Sequence, residues 1–197
     1  MKIGFEIDVL EAAIEPEREE FEMIRQLMGA MSEHRVQGVV TEIILVQIDK
    51  FAKYRKKLIG QLMDKCQFER IHTNEKSDRL AEDYLMHGVI DRKNRRRARN
   101  IAAFAFHQTP IYIALNYHAL GKYVSRKKIL RLNQKRKIDP IDLGSPAHAE
   151  QILRHPHYVG VIHRAQEEVY MEQAEISSEE EIVKTRRRAR RILTEKS

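Results

Sequence analysis

Five short runs that read as strands punctuate a chain that otherwise repeats its hydrophobic residues at three- and four-residue steps. This alternation limits the fold more than any other feature. Lys2 to Ile7 (KIGFEI), Val36 to Val40, Phe68 to His72, Ile111 to Leu115 (IYIAL) and Ile141 to Leu143 are the runs. IYIAL has the continuous apolar texture of a strand covered on both faces. Between the runs, Phe21, Ile24, Leu27, Met28 and Met31 form a helical stripe, with Glu17, Glu19, Glu20 and Glu22 enriching the start of a helix read as following directly on Asp8. Thr41 is placed to cap a helix read as one stripe from Ile43 to Met63. Ser77 to His87 ends at Gly88, Arg95 to His107 carries Ala98, Ile101, Ala102 and Ala105 on one face, and Val124 to Lys137 is a basic helix. Strands alternating with helices imply an α/β domain with a central parallel sheet and helices on both faces.

Beyond about residue 153 the texture changes. His155 and Pro156 interrupt the chain, Val159 to Ala174 is amphipathic, and Ser178 with Glu181 has capping-box spacing before a last helix. Two such helices cannot bury their own apolar stripes, so they are expected to dock on the main domain or on another chain. The expected organisation is a domain over 1–153 and a helical extension over 154–197. Docking of the extension between copies would make a homo-oligomer.

Charge is unevenly spread. Residues 1–49 carry net −7, residues 50–137 net +16 and residues 138–197 net −2, and Arg92 to Ile138 holds 14 Lys/Arg with no Asp or Glu. Such a stretch suits a polyanion, through charge and counterion release. It also suits a solvated face neutralised by the acidic flanks. Candidate phosphate contacts are Arg92, Lys93, Arg95, Arg96 and Arg99 at one helix start, and Arg126, Lys127, Lys128 and Arg131 on another. Tyr117 and Tyr123 lie between them and could stack on bases or pack in the core. The single cysteine, Cys66, makes no internal disulfide, and no Cys/His pair has zinc-ligand spacing. No apolar run approaches the roughly 18 to 20 residues of a membrane span, and the acidic start has no signal-peptide core, so a cytoplasmic protein without membrane contact is expected.

The wording of several segments, MKIGFEIDVLEAAIEPERE, VVTEIILVQI, GVIDRKNRRRARNIAAFAF and above all IYIALNYHALGKYVSRKKILRLNQKRKIDPIDLGSP, resembles PIN-domain proteins of the VapC-like type, the toxin half of type II toxin–antitoxin pairs. The resemblance implies a PIN-like three-layer α/β/α fold. It also implies a ribonuclease site in which acids at the strand ends hold Mg²⁺ or Mn²⁺. Position by position, those acids are largely replaced. The first falls on Glu6, one carbon longer than the usual Asp. The second falls on Gln47, and the third, an Asp opening a helix, falls on Arg97, with Asn100 where His is usual. The fourth falls on Asn116, with Ala119 in place of a later His.

The resemblance therefore implies a degenerate site, with no metal and no cofactor expected. Mg²⁺ or Mn²⁺ would matter only to a residual ribonuclease, for which Asp8 and Glu42 are the remaining acids near the same strand ends. Arg97 is expected to place its guanidinium on Glu6 in the metal's stead; the alternative is an arginine turned to solvent. The segment HPHYVGVIHRAQEEVYMEQAEISSEEEIVKTRRRARRILTEKS is similar to the helical antitoxins of such pairs, which makes Arg164 the tail residue expected to reach acidic groups. RNA or another polyanion is the expected partner. A protein-interaction or assembly role without nucleic acid stays open.

Overall fold

The computed structural model describes residues 1–115 and 123–154, with only the backbone for 123–127 and 152. Met1–Arg154 forms one compact unit. Its strands are β1 (Lys2–Phe5), β2 (Gln37–Thr41), β3 (Glu69–Ile71), β4 (Ile111–Ile113) and β5 (Asp142–Gly144). Its helices are α1 (Ile7–Ala12), α2 (Phe21–Ser32), α3 (Glu42–Ile48), α4 (Lys53–Lys65), α5 (Glu75–Met86), α6 (Arg95–Phe106), α7 (Tyr123–Lys135) and α8 (Pro146–Arg154), with a 3₁₀ turn at Arg92–Asn94. All five strands are parallel, in the order β3-β2-β1-β4-β5. Ile3, Phe5, Val39, Val40, Ile111, Tyr112 and Ile113 are fully buried, as strands covered on both faces require.

Two glycines show which helices cover which face. Ile3 stands level with Gly38 and Gly4 with Val39, so Gly4 and Gly38 point to opposite sides of the sheet. A Cβ on Gly4 would lie 2.7 Å from the Phe104 ring of α6; one on Gly38 would lie 2.0 Å from Cε of Met31 on α2. Helix α6, packed on α5, therefore covers one face, and α2, packed on α8, covers the other. The result is the three-layer α/β/α arrangement that the alternation of strands and helices implies.

Two helix readings are corrected. The helix expected directly after Asp8 is two helices, α1 and α2, separated around Pro16. Proline has no N–H to donate and disfavours helical backbone at the residue before it, so the first helix stops short and the chain turns through Glu20 before α2 begins. The stripe from Ile43 to Met63 is likewise split into α3 and α4. After Ile48 the amides of Lys50 and Phe51 bond back only three residues, to Gln47 and Ile48, and a new helix starts when Lys56 bonds Ala52. Helix α7 is tied to α5 by a hydrogen bond from the Tyr84 hydroxyl to Asn133 Oδ1 at 2.5 Å, and Arg136, the residue after α7, meets Asp83 of α5 at 2.6 Å. Burial pushes the Tyr84 hydroxyl pKa up, so it stays a donor. No helix among the described residues is long and apolar enough to cross a membrane.

Candidate functional site

The chain runs outward from β1 to β2 to β3, then returns to place β4 and β5 on the other side of β1. The order reverses between β1 and β4, and in open parallel sheets ligands bind in the crevice beyond the carboxyl ends at that point. Glu6 stands there, immediately after β1. Its amide donates to the Ile113 carbonyl of β4 at 3.0 Å, and its side chain caps α1 by accepting from the Ile7 amide at 3.2 Å. The carboxylate is buried. It accepts a hydrogen bond from the Tyr112 hydroxyl, and Arg97 Nε of α6 lies 3.6 Å from its Oε2. Burial above all, and then the negative charge of Glu6, push the Tyr112 phenol well above its ordinary pKa and keep its proton in place for that bond.

Level with Glu6 on the adjoining strand, two residues beyond the Gly4–Val39 pair, stands Thr41. Its hydroxyl accepts from the Ile44 amide at 3.3 Å and donates to Asn100 Oδ1 at 2.6 Å. Arg97 and Asn100 are three residues apart on α6 and so share a face. That face closes over the ends of β1 and β2, bringing together two of the positions that the resemblance singles out. The second position, Gln47, does not join them. Gln47 donates to the Ile43 carbonyl of its own helix at 3.3 Å, and its Oε1 accepts from Arg96 at 3.3 Å. Asn116 and Ala119 lie outside the described residues.

These groups do not fit a hard divalent cation, which needs several oxygen ligands. Glu6 already faces a guanidinium, and the Gln47 carbonyl already faces another. A unit charge about 4 Å from a divalent ion opposes it by roughly 8 kcal/mol at an effective dielectric near 20. Asn100 Nδ2 is buried without a partner among the described residues, and as a donor it suits an oxygen atom, not a cation. No three His, Cys, Asp or Glu side chains among the described residues gather as a metal group would require. Glu42 is engaged elsewhere: it accepts from the Thr73 hydroxyl, from the Thr73 amide at 3.1 Å and meets His72 Nδ1 at 2.6 Å. Those bonds, the Thr73 hydroxyl first, hold its carboxyl below the usual range against the opposing effect of burial.

The start of α6 is where the basic stretch becomes a surface. Arg95, Arg96, Arg97 and Arg99 fall in its first five residues, with no acid in the first turn. Cations at a helix N-terminus face the positive end of the helix dipole, a cost of about 0.3 to 1 kcal/mol each when exposed. Acids from other elements offset it. Arg95 Nη2 bonds Glu82 Oε1 at 2.6 Å, and Arg99 makes a two-pronged contact with Asp78 at 2.8 and 3.1 Å while also donating to Thr73 at 3.2 Å. Lys93 and Arg96 face no carboxylate within ion-pair distance among the described residues. Between α5 and the start of α6 lies a cleft of about 520 Å³ lined by Asp78, Glu82, Lys93, Arg95, Arg96 and Arg99.

Of the other candidate phosphate contacts, Arg92 is exposed on the 3₁₀ turn, and Lys128 and Arg131 are exposed on α7. The side chains of Tyr123, Arg126 and Lys127, and all of Tyr117 and Arg164, lie outside the described residues, as does the tail. Tyr112, Asp78, Glu82 and Thr73 are the site residues that sequence reasoning missed. Tyr112 carried a signal: a phenol in the middle of a fully apolar strand must find a buried partner. The acids of α5 carried none, because their partners are 13 and 21 residues away along the chain.

Comparison with known proteins adds little to this geometry. No family model matches the chain, and no curated protein matches it significantly. Among solved structures it is similar to VapBC2 from Rickettsia felis, determined bound to a DNA fragment from their promoter, with 12% identity and a TM-score of 0.48 over 74% of this chain and 98% of that one.

Proposed function

We propose that this chain is a catalytically degenerate PIN-like protein, a noncatalytic nucleic-acid-binding or regulatory module derived from a toxin–antitoxin pair, with RNA as its ligand. The observation that carries the reading is Arg97, held 3.6 Å from the buried Glu6 at the end of β1, where the resemblance puts a metal-binding carboxylate. A fixed guanidinium supplies the positive charge that a metal would bring, but it cannot activate water. No metal or cofactor is needed for binding. The basic surface at the start of α6, with Lys128 and Arg131 of α7, supplies the phosphate contacts. The tail over 154–197 acts as an antitoxin-like extension, with Arg164 reaching acidic groups and tail docking between copies giving a homo-oligomer.

One observation favours a second reading, an interaction or assembly factor without nucleic acid. Two of the arginines of the basic surface are already paired with carboxylates of α5. Purification of the full chain from cells separates the two. An ultraviolet spectrum dominated by nucleic acid, removed by RNase and not by DNase, is the expected result. The spectrum of protein alone, with an acidic protein co-migrating, would establish the second reading instead.

A further inference from the structure

Six charged side chains line the cleft between α5 and the start of α6, four cations against two carboxylates, leaving a net positive charge. The two carboxylates are not scattered. Asp78 and Glu82 are four residues apart on α5, so they stand one above the other on one face, with Cβ atoms about 5 to 6 Å apart. Each holds one arginine, Glu82 the guanidinium of Arg95 and Asp78 that of Arg99. Their side chains are 50% and 43% exposed, so water reaches both pairs and each is worth little to the fold. Lys93 and Arg96 line the same cleft without a carboxylate of their own among the described residues. Two anions in a row, held by two arginines beside two cations without a carboxylate of their own among the described residues, present what a stretch of phosphodiester backbone would present.

We infer that Asp78 and Glu82 occupy this cleft as internal stand-ins for phosphates, and that single-stranded RNA enters by partner exchange. Lys93 and Arg96 take the first phosphates, and Arg95 and Arg99 then pass from the carboxylates to the RNA. Exchange costs little because exposed ion pairs are screened by water and salt, whereas each new phosphate contact releases condensed counterions. In this arrangement the acidic face of α5 sets a ceiling on affinity. It repels the ligand and competes for its arginines. A merely supporting role, in which the carboxylates hold the arginines in binding position, has the opposite consequence, since removing them would then weaken binding. The inference rests on the nucleic-acid-binding reading and deepens it.

The test is fluorescence anisotropy with a labelled oligouridine and the full chain, comparing the unmodified protein with an Asp78→Asn, Glu82→Gln double variant. Binding about five- to thirty-fold tighter is expected, from two relieved pairs and two relieved repulsions. A Glu22→Gln, Glu33→Gln variant changes the net charge equally but at the two ends of α2, on the opposite face of the sheet, and should shift affinity less than about twofold, because exposed charges far from the ligand are screened. An unmodified chain that binds, with a double variant that binds no tighter or more weakly, overturns the inference and leaves the nucleic-acid reading standing. Binding by neither overturns both. If thermal melting shows the double variant to be unfolded, Glu82→Gln alone carries the same expectation of tighter binding at about half the effect on a logarithmic scale.

Discussion

Replacing Arg97 with alanine should cost about 2 to 3 kcal/mol of folding stability, a large loss for one side chain on a helix start. The carboxylate of Glu6 is only 6% exposed, while Arg97 keeps 21% of its side chain in solvent. Removing the arginine leaves a buried anion bonded to Tyr112 and the Ile7 amide with its counter-charge gone. Breaking a fully buried pair typically costs 3 to 5 kcal/mol. The lower figure applies here because Arg97 is partly wet and its Nε lies beyond hydrogen-bonding distance at 3.6 Å.

The reverse substitution is milder. Glu6→Gln keeps its one oxygen for the Ile7 amide, which bonds Oε1, while the Tyr112 hydroxyl at the Oε2 position accepts from the new amide NH2 instead of donating; it also leaves a guanidinium that can turn toward water, so about 1 kcal/mol is expected. In the Glu6→Gln background, Arg97→Ala should cost only about 1 kcal/mol, a coupling energy of roughly 1 to 2 kcal/mol between the two sites. Urea denaturation of the four proteins measures it. Additive losses would mean that Arg97 does not neutralise Glu6.

The second large effect is on binding. Lys93→Glu together with Arg96→Glu should weaken RNA binding at least about a hundredfold at low salt, because two phosphate contacts become two repulsions. Neither residue holds a carboxylate among the described residues and both are exposed, so stability should stay within about 0.5 kcal/mol of the unmodified chain. That separation of affinity from stability makes this pair a cleaner choice than Arg95 or Arg99, whose removal also breaks contacts with α5. The unmodified chain should itself lose about fifty-fold in affinity between 50 and 200 mM salt if four phosphates are contacted on a single strand. Anisotropy titrations across that range read both quantities. A flat salt dependence would mean that the basic surface does not meet phosphates.

The parts of the fold legible in the sequence are those encoded locally. Alternating apolar runs and helical stripes gave five parallel strands with helices on both faces, because strands buried on both sides must be apolar throughout. Helix boundaries were legible where capping chemistry is local, as at Thr41. They were missed where a stripe continues through a break, as between Ile48 and Lys53, and where Pro16 interrupts an otherwise helical stretch. The site was legible only in part, for a similar reason. Glu6 and Arg97 stand 91 residues apart and meet only because α6 crosses the ends of β1 and β2. The stretch from Arg92 to Ile138 is free of acids along the chain but not in space, since Asp78 and Glu82 reach it from α5. Charge along the sequence located the basic surface, but the acids that partly neutralise it come from α5 and not from the acidic flanks.

Degeneracy at the strand ends is tested most directly by what happens to RNA that the protein holds. The full chain is incubated with end-labelled RNA and Mn²⁺, with and without EDTA, and each sample is run on a native and on a denaturing gel. A retarded complex on the native gel with full-length RNA on the denaturing gel, unchanged by EDTA, is the expected result. Cleavage that EDTA abolishes and that Glu6→Gln removes would contradict it, and would mean that Glu6 still holds a metal despite Arg97.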